Sequence, residues 1–469
     1  MPSIRVRLPT GALDLDALRA ELEVPGEFPP EALAEAEAAA RAPRLPELDR
    51  TDLPMVTIDP PGSRDLDQAL HLVRTPTGYR VSYAIADVGA FVEPGGALDA
   101  EVHARGVTLY APDTRVPLHP PVLGEDAASL LPDVVRPALL WELDLDADGT
   151  LVGTDVRRAL VRSTARLDYA TVQAALDDGT ASEVLVLLQE VGLLREQQAR
   201  DRGAVDLPTP SQEVEVDGHD RPTLVWRAQL PVEGWNAQIS LLTGAAAAAL
   251  MLDAGIGLLR TLPPAAPEDV EALRRSATAL GLDWPEGATY GAVVSGLDPH
   301  EPTHAALLVL ATRLLRGAGY TAFDGGPPEQ PLHSAVALPY AHCTAPLRRL
   351  ADRHVGEACV ALAAGEPVPA WVRDALPDLP EVMAGATRRA GALERAVVDG
   401  AEALVLSARR EERFAAVVVE TGKDYGAVQL QDPPVRARCE GGDLPLGERI
   451  EVELVTADPV TRRVLLRRV

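Results

Sequence analysis

From about residue 51 to 163 the apolar positions tend to alternate with polar ones, and beyond that they recur mostly at helical spacing. Alternation at period two predicts strands over 81–86, 139–145 and 159–163, and Val56-Thr57-Ile58 reads as a further half-buried strand. Apolar stripes at period 3.6 predict helices over 183–200, 236–251, 268–280, 304–316, 347–363 and 384–410. Strands first and helices later is the order of an α+β fold. Ahead of these, 13–22 and 30–41 read as two helices, the second opened by Pro29-Pro30 at its N-terminus, so 1–50 reads as a short helical module. After 413 the pattern becomes five short strand-like runs, 414–419, 426–431, 435–439, 450–455 and 463–466, separated by Gly-Gly, Pro-Pro and Asp-Pro breaks. That count and size suit an OB-type β-barrel. The expected division is therefore 1–50, 51–411 and 412–469.

The chemistry concentrates where the first strand ends. Asp59 closes the Val56-Thr57-Ile58 run, Pro60-Pro61-Gly62-Ser63 forces a turn, and Asp65 and Asp67 follow two residues apart. On extended backbone both project to one face, where like charges repel unless a cation compensates them. Hard oxygen donors without His or Cys suit Mg²⁺ or Mn²⁺. Far downstream, Thr344-Ala345-Pro346 precedes the adjacent Arg348 and Arg349 at the expected start of a helix. A helix N-terminus and a guanidinium fork both favour phosphate oxygens. A carboxylate-held metal with an arginine clamp has the parts needed to hydrolyse a phosphodiester.

Composition adds one objection. The net charge of −26 is unlike the basic footprint of an ordinary nucleic-acid binder. The basic residues are almost all arginine, with Lys423 the sole lysine, and a strand path needs only local positive potential, which Arg388-Arg389, Arg409-Arg410 and Arg462-Arg463 could supply. An apolar fraction of 46% over 469 residues predicts globular domains with a sizeable core. No uninterrupted run of eighteen apolar residues and no signal-peptide pattern is seen, so a cytoplasmic location and no membrane partner are expected. Cys343, Cys359 and Cys439 lack Cys-x-x-Cys spacing, which disfavours a disulfide framework or zinc finger.

Taken together, these segments resemble the ribonuclease II (RNB) family of processive 3′→5′ exoribonucleases over residues 50–469. The family's Thr-Ile-Asp run and following Ser/Thr-x-Asp-x-Asp-Asp turn stand here as Thr57-Ile58-Asp59 and Ser63-Arg64-Asp65-Leu66-Asp67-Gln68. Ala84-Ile85-Ala86-Asp87-Val88, Arg105-Gly106-Val107-Thr108-Leu109-Tyr110-Ala111-Pro112, Ala165-Arg166-Leu167-Asp168-Tyr169 and Arg202-Gly203-Ala204-Val205-Asp206-Leu207 match further family segments. Thr344-Ala345-Pro346-Leu347-Arg348-Arg349-Leu350-Ala351-Asp352 matches the family's Arg-bearing signature.

The resemblance implies an RNB-type catalytic domain followed by an RNA-binding barrel, acting on single-stranded RNA 3′ ends to give nucleoside 5′-monophosphates, with no obligate protein partner. It implies that Asp59, Asp65 and Asp67 hold Mg²⁺ or Mn²⁺, with Gln68 a weaker ligand in place of a fourth aspartate. Asp67 and Arg348 would be catalytic. Tyr110, Tyr169 and Arg349 would contact RNA, with Tyr110 stacking on the terminal base, and Glu394 would meet the ribose 2′-OH that distinguishes RNA from DNA. Departures besides Gln68 are Leu207 for an aromatic, Ala237-Gln238 for a Glu pair, and Ala345 for Ser. Family relatives carry cold-shock-type barrels ahead of the catalytic domain, and 1–50 is too short for one, which leads to an expectation of tolerance for structured RNA. His342 and His354 are expected to pack around the Arg-bearing helix, and Asp87 and Asp113 to bond in turns. On the barrel Phe414 and Tyr425 are the candidate stacking rings, Phe414 more often a core residue. Two other readings are an RNA-binding protein of the same fold with weakened catalysis, and a phosphoesterase of small substrates.

Overall fold

The computed structural model describes residues 5–6, 13–205, 207, 211–216, 222–227, 229–298, 301–410 and 412–469. Asp206 and the beginning of the 1–50 stretch lie outside the described residues.

Five strands form a closed barrel in sequence order: Met55–Asp59, Gln68–Thr75, Gly78–Ala86, Val135–Asp146 and Leu151–Asp168. Neighbours pair antiparallel, and the barrel closes by parallel pairing of the first strand with the last, which sets Asp59 opposite Asp168. Val81, Tyr83, Trp141 and Leu143 share one face of paired strands and Leu140 the other, and all five belong to the largest of three buried clusters. Closure extends the last strand well beyond the expected 159–163. Alternation persists only where one face is dry, and here the strand is buried on both faces only in part.

The expected helices form with shifted ends. Glu183–Asp201, Pro267–Ala279 and Leu379–Ser407 lie over the expected stretches, and Pro302–Ala311 passes into a 3₁₀ turn at Thr312–Leu315. Pro231–Ala254 is, among the described residues, the one helix long and apolar enough to cross a bilayer. It serves instead as a core helix, burying Val232, Trp235, Ile239, Leu242, Ala246, Ala247, Ala248 and Met251. Gly244 on it has no room for a side chain, since a Cβ would stand 2.1 Å from the Tyr340 ring. That contact, with the Ala341 N–H donated to Gly244 O at 3.0 Å, lays the chain entering the Arg-bearing segment against the core.

The last five strands, Arg413–Glu420, Tyr425–Leu430, Arg436–Glu440, Arg449–Asp458 and Arg463–Arg468, close into a second barrel. Phe414 is only 2% exposed within it, so it packs rather than stacks, while Tyr425 is exposed with the Arg438 guanidinium 3.5 Å from its ring. The N-terminal helices Leu15–Glu21 and Pro30–Arg41 share their neighbours' cores. Leu18 enters the cluster formed by the long helix Leu379–Ser407 and the second barrel, and Ala32 and Ala36 enter the main core.

Candidate active site

The site is assembled where the first strand and the Arg-bearing segment meet. Gly62, at φ +82, turns the chain after Asp59, and Ser129 fastens the returning loop. Its hydroxyl donates to Arg64 O at 2.6 Å and accepts the Leu66 N–H at 2.9 Å. Leu66 is buried, so Asp65 and Asp67 flank an anchored residue.

From the other side, Asp352 shapes the turn that carries the arginines. Its carboxylate accepts the Ala345 N–H at 2.7 Å and both Nε and Nη2 of Arg349, at 2.9 and 2.8 Å. This turn displaces the helix start from the expected 347 to Leu350–Ala363. It aims the Leu347 N–H at Asp67 Oδ1, 2.8 Å away, and puts Arg348 Nε 3.3 Å from Asp67 Oδ2. Behind the turn, the buried His119 Nδ1 lies 3.2 Å from Leu347 O, holding the same residue through its carbonyl.

The same segment positions Tyr110. Thr108 donates its N–H to Arg348 O at 3.0 Å, and Leu350 donates to Gly106 O at 2.9 Å. The hairpin Leu109–Tyr110 with Arg115–Val116 therefore leaves directly from the arginine turn. Tyr110 is 51% exposed and Arg348 47%, yet the Tyr110 hydroxyl is pushed up to about 12, first by burial and then by the charges of Asp65 and Asp67. Tyr110 and Arg348 thus keep solvent contact beside the carboxylates of Asp65 and Asp67.

Burial pushes the Asp67 carboxyl up to about 8 although Arg348 and the Leu347 N–H favour its charged form. Asp59 rises to about 6 for the same reason, again opposed by Arg348. The Tyr169 hydroxyl, 3.4 Å from Asn236 Nδ2, is raised to about 12 by burial and by Asp59, so it stands near Asp59. Two desolvated carboxyls that both feel the Arg348 charge, and only oxygen donors, suit a hard divalent cation.

Three expected residues stand in arrangements the spacing did not foretell. The aspartates do not converge as a ready-made cluster: among the described residues no three His, Cys, Asp or Glu side chains gather to hold an ion. Asp65 is instead paired with Arg115 at 2.5 Å, whose other nitrogen meets Glu125 at 2.5 Å. Gln68, expected as a weak ligand, has its amide engaged: Nε2 donates to Thr344 O at 2.5 Å and Oε1 accepts the Tyr83 hydroxyl at 2.7 Å. Arg349, expected to contact RNA phosphate, presents its fork to Asp352.

Glu394, on the long helix that packs beside the Tyr110 hairpin, makes no hydrogen bond or ion pair with another described residue, and burial raises its carboxyl. Leu207 packs against the third buried cluster. Asp87 is a buried partner of Arg158 at 2.9 Å rather than only a turn residue, and Asp113 pairs with Arg19 at 3.0 Å. Arg115, Glu125, Tyr83 and His119 escaped the sequence reading. For Arg115 a signal existed, since a hairpin turning at Pro112-Asp113 sets residue 115 opposite Tyr110.

A family model described as the RNB domain matches residues 48–362, more than half of the chain. The chain belongs to the RNB family. A model described as the RNase II-type exonuclease C-terminal S1 domain matches residues 412–469. The exosome complex exonuclease RRP44 homolog A of Arabidopsis thaliana is 32% identical over 321 residues, covering 65% of this chain and 34% of that protein. Ribonuclease R of Thermotoga maritima is 27% identical over 352 residues, covering 71% of this chain and 49% of that protein. The RNB fold is also seen in Mycoplasma genitalium RNase R in complex with ribose-methylated single-stranded RNA, with a TM-score of 0.84 at 19% identity over 97% of this chain and 78% of that one. The chain thus spans about a third to a half of the length of these two sequence relatives.

Proposed function

We propose that this RNB-family chain is a metal-dependent, processive 3′→5′ exoribonuclease that degrades single-stranded RNA to nucleoside 5′-monophosphates in the cytoplasm without an obligate protein partner. The observation that carries the reading is Asp67, a buried carboxyl fixed by the Leu347 N–H and facing Arg348, with Tyr110 near enough to feel its charge.

In this reading Asp59, Asp65 and Asp67 hold Mg²⁺ or Mn²⁺, which when bound polarises the phosphodiester and lowers the pKa of water. Gln68 holds the Arg turn to the barrel through Thr344 and Tyr83. Arg348, pivoting from Asp67, balances charge on the phosphorane as the bond breaks. Tyr110 stacks on the 3′-terminal base, and Tyr169, next to Asp59, borders the same base or its ribose. Glu394, its carboxyl raised by burial and without a hydrogen bond or ion pair to another described residue, is placed to meet the 2′-OH as the strand enters. The catalytic unit is assigned to 51–411 and an RNA-binding barrel to 412–469, with the helical stretch of 1–50 packed onto both. Progress into structured RNA is an extension of the same reading.

The test is incubation of purified protein with 3′-blocked and unblocked single-stranded RNA, with Mg²⁺, with Mn²⁺ and with chelator. Monophosphates from the unblocked strand alone, and only with metal, support the reading. A second reading has its own observation: Arg115 on Asp65 and the engaged Gln68 leave a site with fewer free ligands. Tight RNA binding without cleavage at any concentration of either metal would establish a catalytically weakened RNA-binding protein. A duplex series with shortening 3′ overhangs tests the extension.

A further inference from the structure

Arg348 and Arg349 are adjacent, yet they serve opposite faces of the chain. Arg349 has extended backbone, φ −138 and ψ 125, so the two side chains leave in opposite directions. Arg348 turns to Asp67 and Tyr110. Arg349 turns toward Asp352 and an aromatic group behind the turn, where Tyr320, Tyr340 and Arg260 all feel its charge.

That group is built from two paired strands and the chain leading into the Arg turn. Arg260 faces Tyr320 across the strands Ile256–Thr261 and Gly319–Asp324, its guanidinium 4.8 Å from the ring centre. The Tyr320 hydroxyl lies 2.7 Å from His342 Nδ1, and Tyr340 stands edge-on to both His342 and His333.

The charges do not balance. Arg260 pairs with no carboxylate among the described residues, and Asp352, the acid whose charge reaches Tyr320 and Tyr340, is held by Arg349 and the Ala345 N–H. His333 Nδ1 is buried without a hydrogen-bond partner. Burial lowers Arg260 and His342 and brings His333 down to about 4, although all three keep partial exposure, as does Tyr320. They form one contiguous cluster that reaches solvent, Arg260 against Tyr320, Tyr320 against His342, and Tyr340 between His342 and His333. An unpaired, half-desolvated guanidinium is costly unless an anion completes it. With the His342 Nδ1–H donated to the Tyr320 oxygen, the Tyr320 hydroxyl is left to donate outward, and that hydroxyl, the planar fork of Arg260 and one ring N–H of the neutral His333 are directional donors that match the oxygens of a phosphate.

We propose that Arg260, Tyr320, His333 and His342, with Arg349 beneath them, form a second anion site that takes the phosphate of a nucleoside 5′-monophosphate behind the Arg turn. The proposal rests on the exoribonuclease reading for the source of that ligand. A mononucleotide released at Arg348 would find a phosphate site on the opposite face of the same turn, and would act as a product inhibitor by occupying it.

The test titrates inorganic phosphate and adenosine 5′-monophosphate separately into wild-type protein, Arg260→Ala and Tyr320→Phe by calorimetry, in chelator so that no metal contributes. Arg260→Ala should weaken both ligands by about tenfold or more, the scale of a lost charge-assisted fork. Tyr320→Phe, which keeps the ring beneath Arg260, should weaken them less, and decides the matter if Arg260→Ala melts early. Equal binding of phosphate and nucleotide to wild type indicates a site for phosphate from any source, and tighter nucleotide binding indicates the product itself. Either supports the site. No binding to wild type, or binding unchanged in both variants, overturns it. Because these titrations need no RNA, Arg260-dependent binding by a protein that never cleaves RNA would leave the anion site standing and remove only the exoribonuclease reading.

Discussion

Arg115 stands opposite Tyr110 in its hairpin and holds Asp65 at 2.5 Å, so the residue expected to stack the terminal base shares a hairpin with the one that occupies a candidate metal ligand. Arg115 and a cation compete for the same carboxylate. Arg115→Gln should lower the Mg²⁺ concentration for half-maximal cleavage several-fold and tighten Mn²⁺ binding measured by electron paramagnetic resonance. A higher metal requirement in both measurements would mean that Arg115 supports the ligand instead of competing for it.

Asp67→Asn keeps the shape that accepts the Leu347 N–H but removes the charge facing Arg348. Cleavage should fall by on the order of a thousandfold, several kcal/mol of transition-state stabilisation, while single-stranded RNA affinity changes little. Near-wild-type cleavage in a gel assay would remove Asp67 from the chemistry.

Gln68→Asp would restore a family carboxylate, yet it should not restore a metal ligand. A carboxylate there would face the Thr344 carbonyl, which now receives the Gln68 amide N–H, and would leave that acceptor unsatisfied. The expected outcome is destabilisation of about 1–3 kcal/mol in urea denaturation and no gain in Mg²⁺ sensitivity. A lower metal requirement with unchanged stability would return Gln68 to the ligand set.

His354 is a buried residue of the Arg-bearing helix, its Nδ1 3.3 Å from Leu350 O one turn back, and it feels Arg353, His103 and Asp99 and packs on the Trp371 ring. Burial first, then Arg353, lowers it from 6.5 to about 3. Between those values the unfolded chain binds a proton that the native protein refuses, so this stability is present above pH 6.5 and lost as pH falls toward 3. His354→Gln should remove a slope of up to about 1.4 kcal/mol per pH unit from the stability of wild type between pH 6.5 and 4. Parallel stability curves for the two proteins would show that His354 does not titrate there.

Period and punctuation made much of the architecture legible before any contact was known. The strand ending at Asp59, the long helices and the five short strands after 413 lie close to where local alternation put them, because burial of one face imposes that alternation on the residues themselves. The three aspartates and the arginine pair were legible for the same local reason, being side chains grouped by short spacing. Their partners were not. Asp67 meets Leu347 across 280 residues and Gln68 meets Thr344 across 276, and no periodicity records a pairing at that separation. The sequence cannot tell adjacent arginines apart either. Extended backbone at Arg349 and the Asp352 carboxylate three residues on turn that guanidinium inward and leave Arg348 facing Asp67. Tertiary packing alone raised Asp67 toward neutrality, seated Arg115 on Asp65 and left Arg260 without an acid, because desolvation and ion pairing depend on what surrounds a group in space rather than along the chain.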